Sequence, residues 1–365
     1  MRNRTILAAI AAFIAAARLA AMPFDDRITL PSGKRVFIAG FNLAWVSYAG
    51  DVGDSSLNEG QFRRAFRMVG DSGGNAMRVW LSTNGSRDPK FGPDGLVSGL
   101  GSRTIDNVKA MLAIAREQRI LLVPVLLTHN FMQAGQGADL ERNRRMLTTD
   151  AGLDAYIENA VIPLVTAIGN DPNLLCWEIA NEPEGMVDRG GWTSQRIKQE
   201  DVMRFTNRIA GAIKRAVPGV LVSTGAVTAE KLSWYSDEAL VDAGDDPDGT
   251  LDFYMFHYYG WNGPSLSPFV WGADEWEPDK PVVVGEMPSS SWTPSTPSSN
   301  KMKDSGDVNE LLPLLLKGGY AGGLYWQFQR DGGDPWMKGW TTAGPALKAF
   351  CEANPEATRL EAAEK

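Results

Sequence analysis

Residues 174–183 read Leu-Leu-Cys-Trp-Glu-Ile-Ala-Asn-Glu-Pro, and this stretch decides the fold. Leu174–Ala180 is apolar at nearly every position, so as a strand it is buried on both faces. Such strands belong to parallel sheets covered by helices. The flanks agree: Leu153–Ile168 before it and Asp201–Ala216 after it carry apolar residues at helical spacing, the second stopped by Pro218-Gly219. Helix, buried strand, helix is the crossover pattern that a parallel sheet requires.

Outward from this stretch the same unit recurs. Strands are expected at Val36–Trp45, Asn75–Leu81, Ile120–Leu127, Val220–Gly225, Phe253–Tyr259, Pro281–Met287 and Gly322–Phe328. Helices are expected at Asn58–Ser72, Thr104–Gln118, Val308–Lys317 and Ala346–Ala353. The connections around Trp234, Asp245–Asp248 and Trp261–Asp279 read as loops with short helices. Eight alternating units predict a single α/β domain, a (β/α)8 TIM barrel, with a doubly wound open sheet as the alternative. Pro288–Ser299, rich in Ser and Pro, follows the seventh strand and reads as a long loop at the barrel mouth.

The 365 residues suit one such domain. A net charge of −8 disfavours nucleic acid and anionic membranes, whereas a neutral polysaccharide is not repelled. Cys176 and Cys351 are too few for a disulfide framework, and Cys176 reads as a buried core residue. Residues 1–22 begin with a basic Met-Arg-Asn-Arg, continue with the short apolar stretch Ile6–Ala17 and end in small residues. That is the pattern of a secretory signal peptide, a retained anchor being the alternative. A catalytic barrel over 23–365, secreted, monomeric and without stable membrane association, is the expectation.

In such barrels the chemistry lies at the carboxyl ends of the strands. Here those ends carry Asn42 and Trp45, Arg78 and Trp80, His129, Asn181-Glu182-Pro183, His257-Tyr258-Tyr259, Glu286 and Trp326. The chain has two histidines, and both fall at strand ends. Glu182 and Glu286 each follow an apolar run, where an unpaired carboxylate is expensive. On strands four and seven they face each other across the mouth, the arrangement glycoside hydrolysis needs. Glu178 shares strand parity with Glu182 one layer deeper and reads as a buried partner of Arg78 or Glu182. Asn181 and Glu182 can both reach a substrate only if the strand ends or bulges there, which Pro183 permits. Trp45, Trp80, Trp261, Trp292, Trp326 and Trp336 each read as core taken singly. Together they offer the flat faces with an N–H that suit sugars.

Trp177-Glu-Ile-Ala-Asn-Glu-Pro183 resembles the strand-four signature of glycoside hydrolase family 5 and its clan of retaining β-glycosidases. Val284-Gly-Glu286 is similar to the strand-seven segment of that family. The resemblance covers about residues 36–330 and implies roles. Glu182 becomes acid/base and Glu286 nucleophile. Asn181 hydrogen-bonds the sugar 2-hydroxyl. Arg78 and Tyr259 hold Glu286 ionised, His257 lines the cleft near Glu182, and Trp326 floors the subsite of cleavage. His129 matches a strand-three histidine, in a register left open. Trp45 and Trp80 join the substrate-binding set. The resemblance also implies a non-proline cis peptide after Trp326 and carboxyls about 5 Å apart. Met77-Arg-Val-Trp80 and Asn181-Glu-Pro-Glu-Gly-Met186 resemble endo-β-mannanase-like members most, while cellulases and other β-glucanases share the same machinery.

Two readings from other classes are weaker. A barrel that only binds carbohydrate would lack one of the two glutamates. A metal- or phosphate-dependent barrel would need a ligand cluster or a Gly-rich loop after strands seven and eight, which the two histidines and the Ser/Pro-rich loop do not supply. No cofactor and no metal is expected, and the expected partner is a β-linked polysaccharide.

Overall fold

The computed structural model describes residues 26–294, 301–329 and 337–360. Residues 1–22, Trp336 and the end of the Ser/Pro-rich stretch lie outside the described residues. Eight strands close into a barrel: β1 Ile38–Asn42, β2 Ala76–Trp80, β3 Leu121–Thr128, β4 Trp177–Asn181, β5 Val222–Ala226, β6 Tyr254–His257, β7 Val282–Pro288 and β8 Gly322–Trp326. Each strand pairs in parallel with its neighbours in chain order, and β8 closes on β1. The expected (β/α)8 barrel is the observed fold, and the open sheet is excluded.

The helices form for the reasons read in the sequence. Glu59–Asp71 is capped by the Asn58 side chain, which accepts from Gln61 N, and buries Phe62, Ala65, Phe66 and Val69. Asp150–Ile168 starts earlier than expected because Thr149 caps it by accepting from Gly152 N. It widens into a π turn at Ile157–Val161, ahead of Pro163, which has no N–H to give. The connection after β3 holds a further helix, Leu140–Thr148, which the sequence reading did not place, capped by Asp139.

The lumen is layered. Ile38, Ala76, Val123, Cys176, Met255, Val283 and Leu324 belong to one apolar cluster that plugs the end where the strands start. Cys176 is core there, and both cysteines are free. Above this plug the lumen turns polar: Arg78, Glu178, Ser223 and His257 are all fully buried. Fully buried charges persist only when paired and hydrogen-bonded, so the plug leads directly to the site.

Candidate active site

Arg78, on β2, is the hub. Its Nε and Nη2 donate to the two carboxylate oxygens of Glu178 at 2.6 and 2.5 Å. Nη2 also donates to Asn181 Oδ1 at 2.7 Å, and Nη1 donates to Asn42 Oδ1 and Glu286 Oε1, both at 2.8 Å. A guanidinium has five N–H donors, and these five bonds use its full donor capacity. Burial works against the Arg78 charge, but Glu178 and Glu286 outweigh it and hold its pKa above the ordinary range. Asn42 is fixed in turn, its Nδ2 donating to Gly285 O at 2.9 Å. The buried role expected for Glu178 is thus one of orienting Arg78.

Both glutamates sit where the ladder is irregular. The β4–β5 register shifts between Glu178 and Asn181, and Glu182 adopts a left-handed φ of 46°. This is the bulge that the sequence required for Asn181 and Glu182 to serve one cleft. On β7 the register shifts between Val284 and Met287, around Glu286. Oxygens of Glu182 and Glu286 lie within 4.8 Å of each other, and Nδ1 of His257 stands 2.8 Å from Glu182 Oε1 and 3.6 Å from Glu286 Oε1.

The two carboxyls are bonded differently. Glu286 accepts from Arg78 Nη1 and from Tyr259 OH, each at 2.8 Å, and its side chain is 5% exposed. Glu182 has His257 Nδ1 at 2.8 Å and His129 Nδ1 at 3.7 Å, and is 14% exposed. Burial pushes both pKa values up. For Glu286, expected to be held ionised by Arg78 and Tyr259, burial works against the anion. Arg78 Nη1 and the Tyr259 hydroxyl, both donating to its oxygens, oppose this rise and favour the Glu286 anion. Its charge then favours the proton on Glu182. Two carboxyls this close can therefore divide into one anion and one acid.

Burial lowers the pKa of His257 to about 4, and lowers that of His129, so both rings are neutral near pH 7. Nε2 of His257 has no hydrogen-bond partner among the described residues. A buried lone pair is cheaper to orphan than a buried N–H, so the proton belongs on Nδ1, facing Glu182. A Cβ at Gly225 would lie 2.6 Å from Glu178 Oε1, 3.0 Å from His257 Nε2 and 3.1 Å from Arg78 Nη2. The packing of these three groups depends on that glycine.

Aromatic rings line the rim. Trp80 stands 5.3 Å, centroid to centroid, from both Trp45 and Trp326, and 6.5 Å from His129. His129 continues to Trp192 at 5.2 Å. In the loop after β6, Tyr259 and Trp261 stack at 4.4 Å. The Trp326–Gln327 peptide is cis, as the resemblance implied. Asp51 aims the Trp45 loop by accepting from Val46 N at 2.6 Å and Ser47 N at 3.0 Å.

Every expected site residue, Trp45 and His129 included, is drawn into this one cluster. Trp292 is the correction among the aromatics. It is buried, donates its Nε1 to Asp304 and packs on Phe269, so it fastens a loop and presents no open face. Trp192 was missed. It is 46% exposed on a loop whose Gly185 admits no side chain, since a Cβ there would stand 2.6 Å from the indole. The Gly190-Gly191 pair before it is the sequence signal of that tight loop.

With this geometry in view, residues 32–301 match the family described as Cellulase (glycosyl hydrolase family 5). The chain is 31% identical to the mannan endo-1,4-β-mannosidase of Mytilus edulis over 70% of its own length and 77% of that protein. Among solved structures, the β-1,4-mannanase of the sea hare Aplysia kurodai superposes with a TM-score of 0.77 at 28% identity, over 90% of this chain and 96% of that one. The endo-1,4-β-mannanase of Eisenia fetida gives 0.77 at 26%, over 87% and 91%. A catalytic-type pair of carboxyls across the mouth of a closed parallel barrel, a family match over most of the chain and these likenesses agree: the chain belongs to glycosyl hydrolase family 5.

Proposed function

We propose that this protein is a retaining endo-β-1,4-mannanase in which Glu286 is the nucleophile and Glu182 the acid/base. The observation that carries the mechanism is the carboxyl separation, within 4.8 Å, together with the unequal bonding of the two groups. Retaining glycosidases hold their carboxyls about 5–5.5 Å apart, and inverting ones farther to admit a water. Glu286, its two oxygens each accepting one bond from Arg78 or Tyr259, attacks the anomeric carbon. Glu182 gives its proton to the departing glycosidic oxygen. Water then enters, Glu182 takes its proton, and the glycosyl–Glu286 ester is hydrolysed with the original configuration restored. His257, neutral, keeps its Nδ1–H on Glu182 in both protonation states. Asn181 turns its Oδ1 to Arg78, which leaves its Nδ2 as the donor for a sugar hydroxyl.

The choice of mannan rests on the relatives, whose names specify that polymer. Proton NMR of a β-1,4-mannan digest tests both halves: the first product is the β anomer, and the rate on mannan exceeds that on carboxymethylcellulose. An α first product would sink the mechanism; a faster rate on the cellulose derivative would sink the substrate. The basic and apolar pattern of residues 1–22 supports secretion of the barrel. Mass spectrometry of the exported protein, lacking those residues, is the check.

A further inference from the structure

Among the buried acids that the mechanism does not use, one adjoins the acid/base in the chain. Glu184 stands two residues after Glu182, in the short helical turn Pro183–Met186, and is 3% exposed. Its Oε1 accepts from Tyr235 OH at 2.6 Å and its Oε2 from Val227 N at 3.0 Å. Val227 follows directly on β5, and Tyr235 ends the turn Ala229–Tyr235. The carboxyl is thus a bridge from the Glu182 turn to the loop after the next strand. The bridge spans the point where the β4–β5 ladder has already shifted register. Glu182 holds a left-handed backbone, which for a residue with a side chain needs outside support.

We propose that Glu184 is a positioning residue for the acid/base: by accepting from Tyr235 and Val227 it holds the Glu182 turn in the conformation that faces Glu286. This rests on the acid/base reading of Glu182. The titratable groups facing Glu184 are Tyr235 and Glu182, and among the described residues no cation pairs with it. Burial raises its pKa to about 7, with Glu182 adding to the rise, so the carboxyl is half ionised near neutrality. Its anion, two residues from Glu182, favours the protonated form of the acid/base.

Three variants test the bridge: Glu184→Ala, Tyr235→Phe and the near-isosteric Glu184→Gln. Each is compared on β-mannan and, for the first-step burst, on an aryl mannobioside with a good leaving group, which needs no proton. Glu184→Ala should lose roughly 10- to 100-fold in kcat on mannan, as misplaced catalytic groups do, and little in the aryl burst. Tyr235→Phe should lose less, in the same pattern. Glu184→Gln should retain most of kcat while its basic pH limb moves to lower pH, because the anion that favours protonated Glu182 is gone. An equal loss on both substrates in Glu184→Ala, or an unmoved basic limb in Glu184→Gln, would overturn the proposal. Glu182→Ala run in parallel separates the two readings. If it too fails to distinguish the substrates, the acid/base assignment is at fault and not the bridge.

Discussion

Nδ1 of His257 lies 2.8 Å from Oε1 of Glu182, and the ring is held neutral by burial. The imidazole therefore acts on Glu182 by a hydrogen bond and not by a charge. Losing a donor to the ionised carboxyl raises its pKa. His257→Ala should accordingly move the basic limb of the pH–rate curve upward and lower kcat on mannan roughly 10-fold or more, as loss of a group that orients a general acid does. A downward shift of that limb would mean that the proton is on the other nitrogen.

Glu182 and Glu286 should separate cleanly by mutation. Glu286→Ala removes the attacking group and should abolish turnover of every substrate. Glu182→Ala removes proton transfer, a loss of roughly 10²- to 10⁴-fold on mannan. The first step on an aryl glycoside with a good leaving group should survive, and azide should release the trapped sugar as a β-glycosyl azide. Equal inertness of the two variants with azide present would show the roles to be misassigned.

Stability should fall as pH rises from about 4 to about 7. Burial raises Asp51 and Asp88 to about 6 and Glu184 to about 7. Between its unfolded and its folded pKa each group is ionised in the unfolded chain and protonated in the folded one. The folded state then binds more protons, and unfolding becomes easier with rising pH. Glu182 and Glu286 act in the same direction. His257 and His129 act in the opposite one, their folded pKa values lying below the unfolded value. Five carboxyls outweigh two imidazoles, so Tm should be higher at pH 5 than at pH 7.5. Asp88, which accepts from Gly101 N and Thr104 OH, is the simplest group to remove. Asp88→Asn should flatten the slope, and a Tm that rises toward pH 7.5 in the parent protein would contradict the account.

Trp192 meets His129 at 5.2 Å, packs against Gly185 and is 46% exposed. It stands against Gly185 in the turn that carries Glu182, which in the proposed mechanism gives its proton to the leaving sugars. Trp192→Ala should raise KM for mannan roughly 2- to 10-fold, the range for one aromatic contact, and leave the aryl mannobioside burst unchanged. An equal effect on both would place the ring elsewhere along the chain of sugars.

The fold was legible because burial on both faces leaves a mark at every position of a strand. Boundaries were less so: Leu174–Cys176 looks like strand, yet β4 begins at Trp177, and Cys176 packs into the lumen plug ahead of it. Arg78, Glu178 and the bulge at Asn181-Glu182 could be reasoned from parity and the cost of buried charge. Trp292 could not be told from a platform, since a tryptophan in a loop looks the same whether its indole is tied to Asp304 or open to solvent. Glu184 lies inside the Asn181–Met186 motif, yet its meaning depends on Tyr235, fifty-one residues on.

Position 225 has a consequence for anyone who wishes to redesign this cleft. β5 lends the mouth no carboxylate, ring or amide from Gly225, only room. Even an alanine would press on Glu178, and Glu178 cannot yield while both its oxygens are tied to an arginine with no donor to spare. A saturation scan should therefore score this residue with no side chain about as intolerant as the two glutamates. New specificity must be built from the rim, around Trp192 and Trp261, since the wall behind the acid is closed to enlargement.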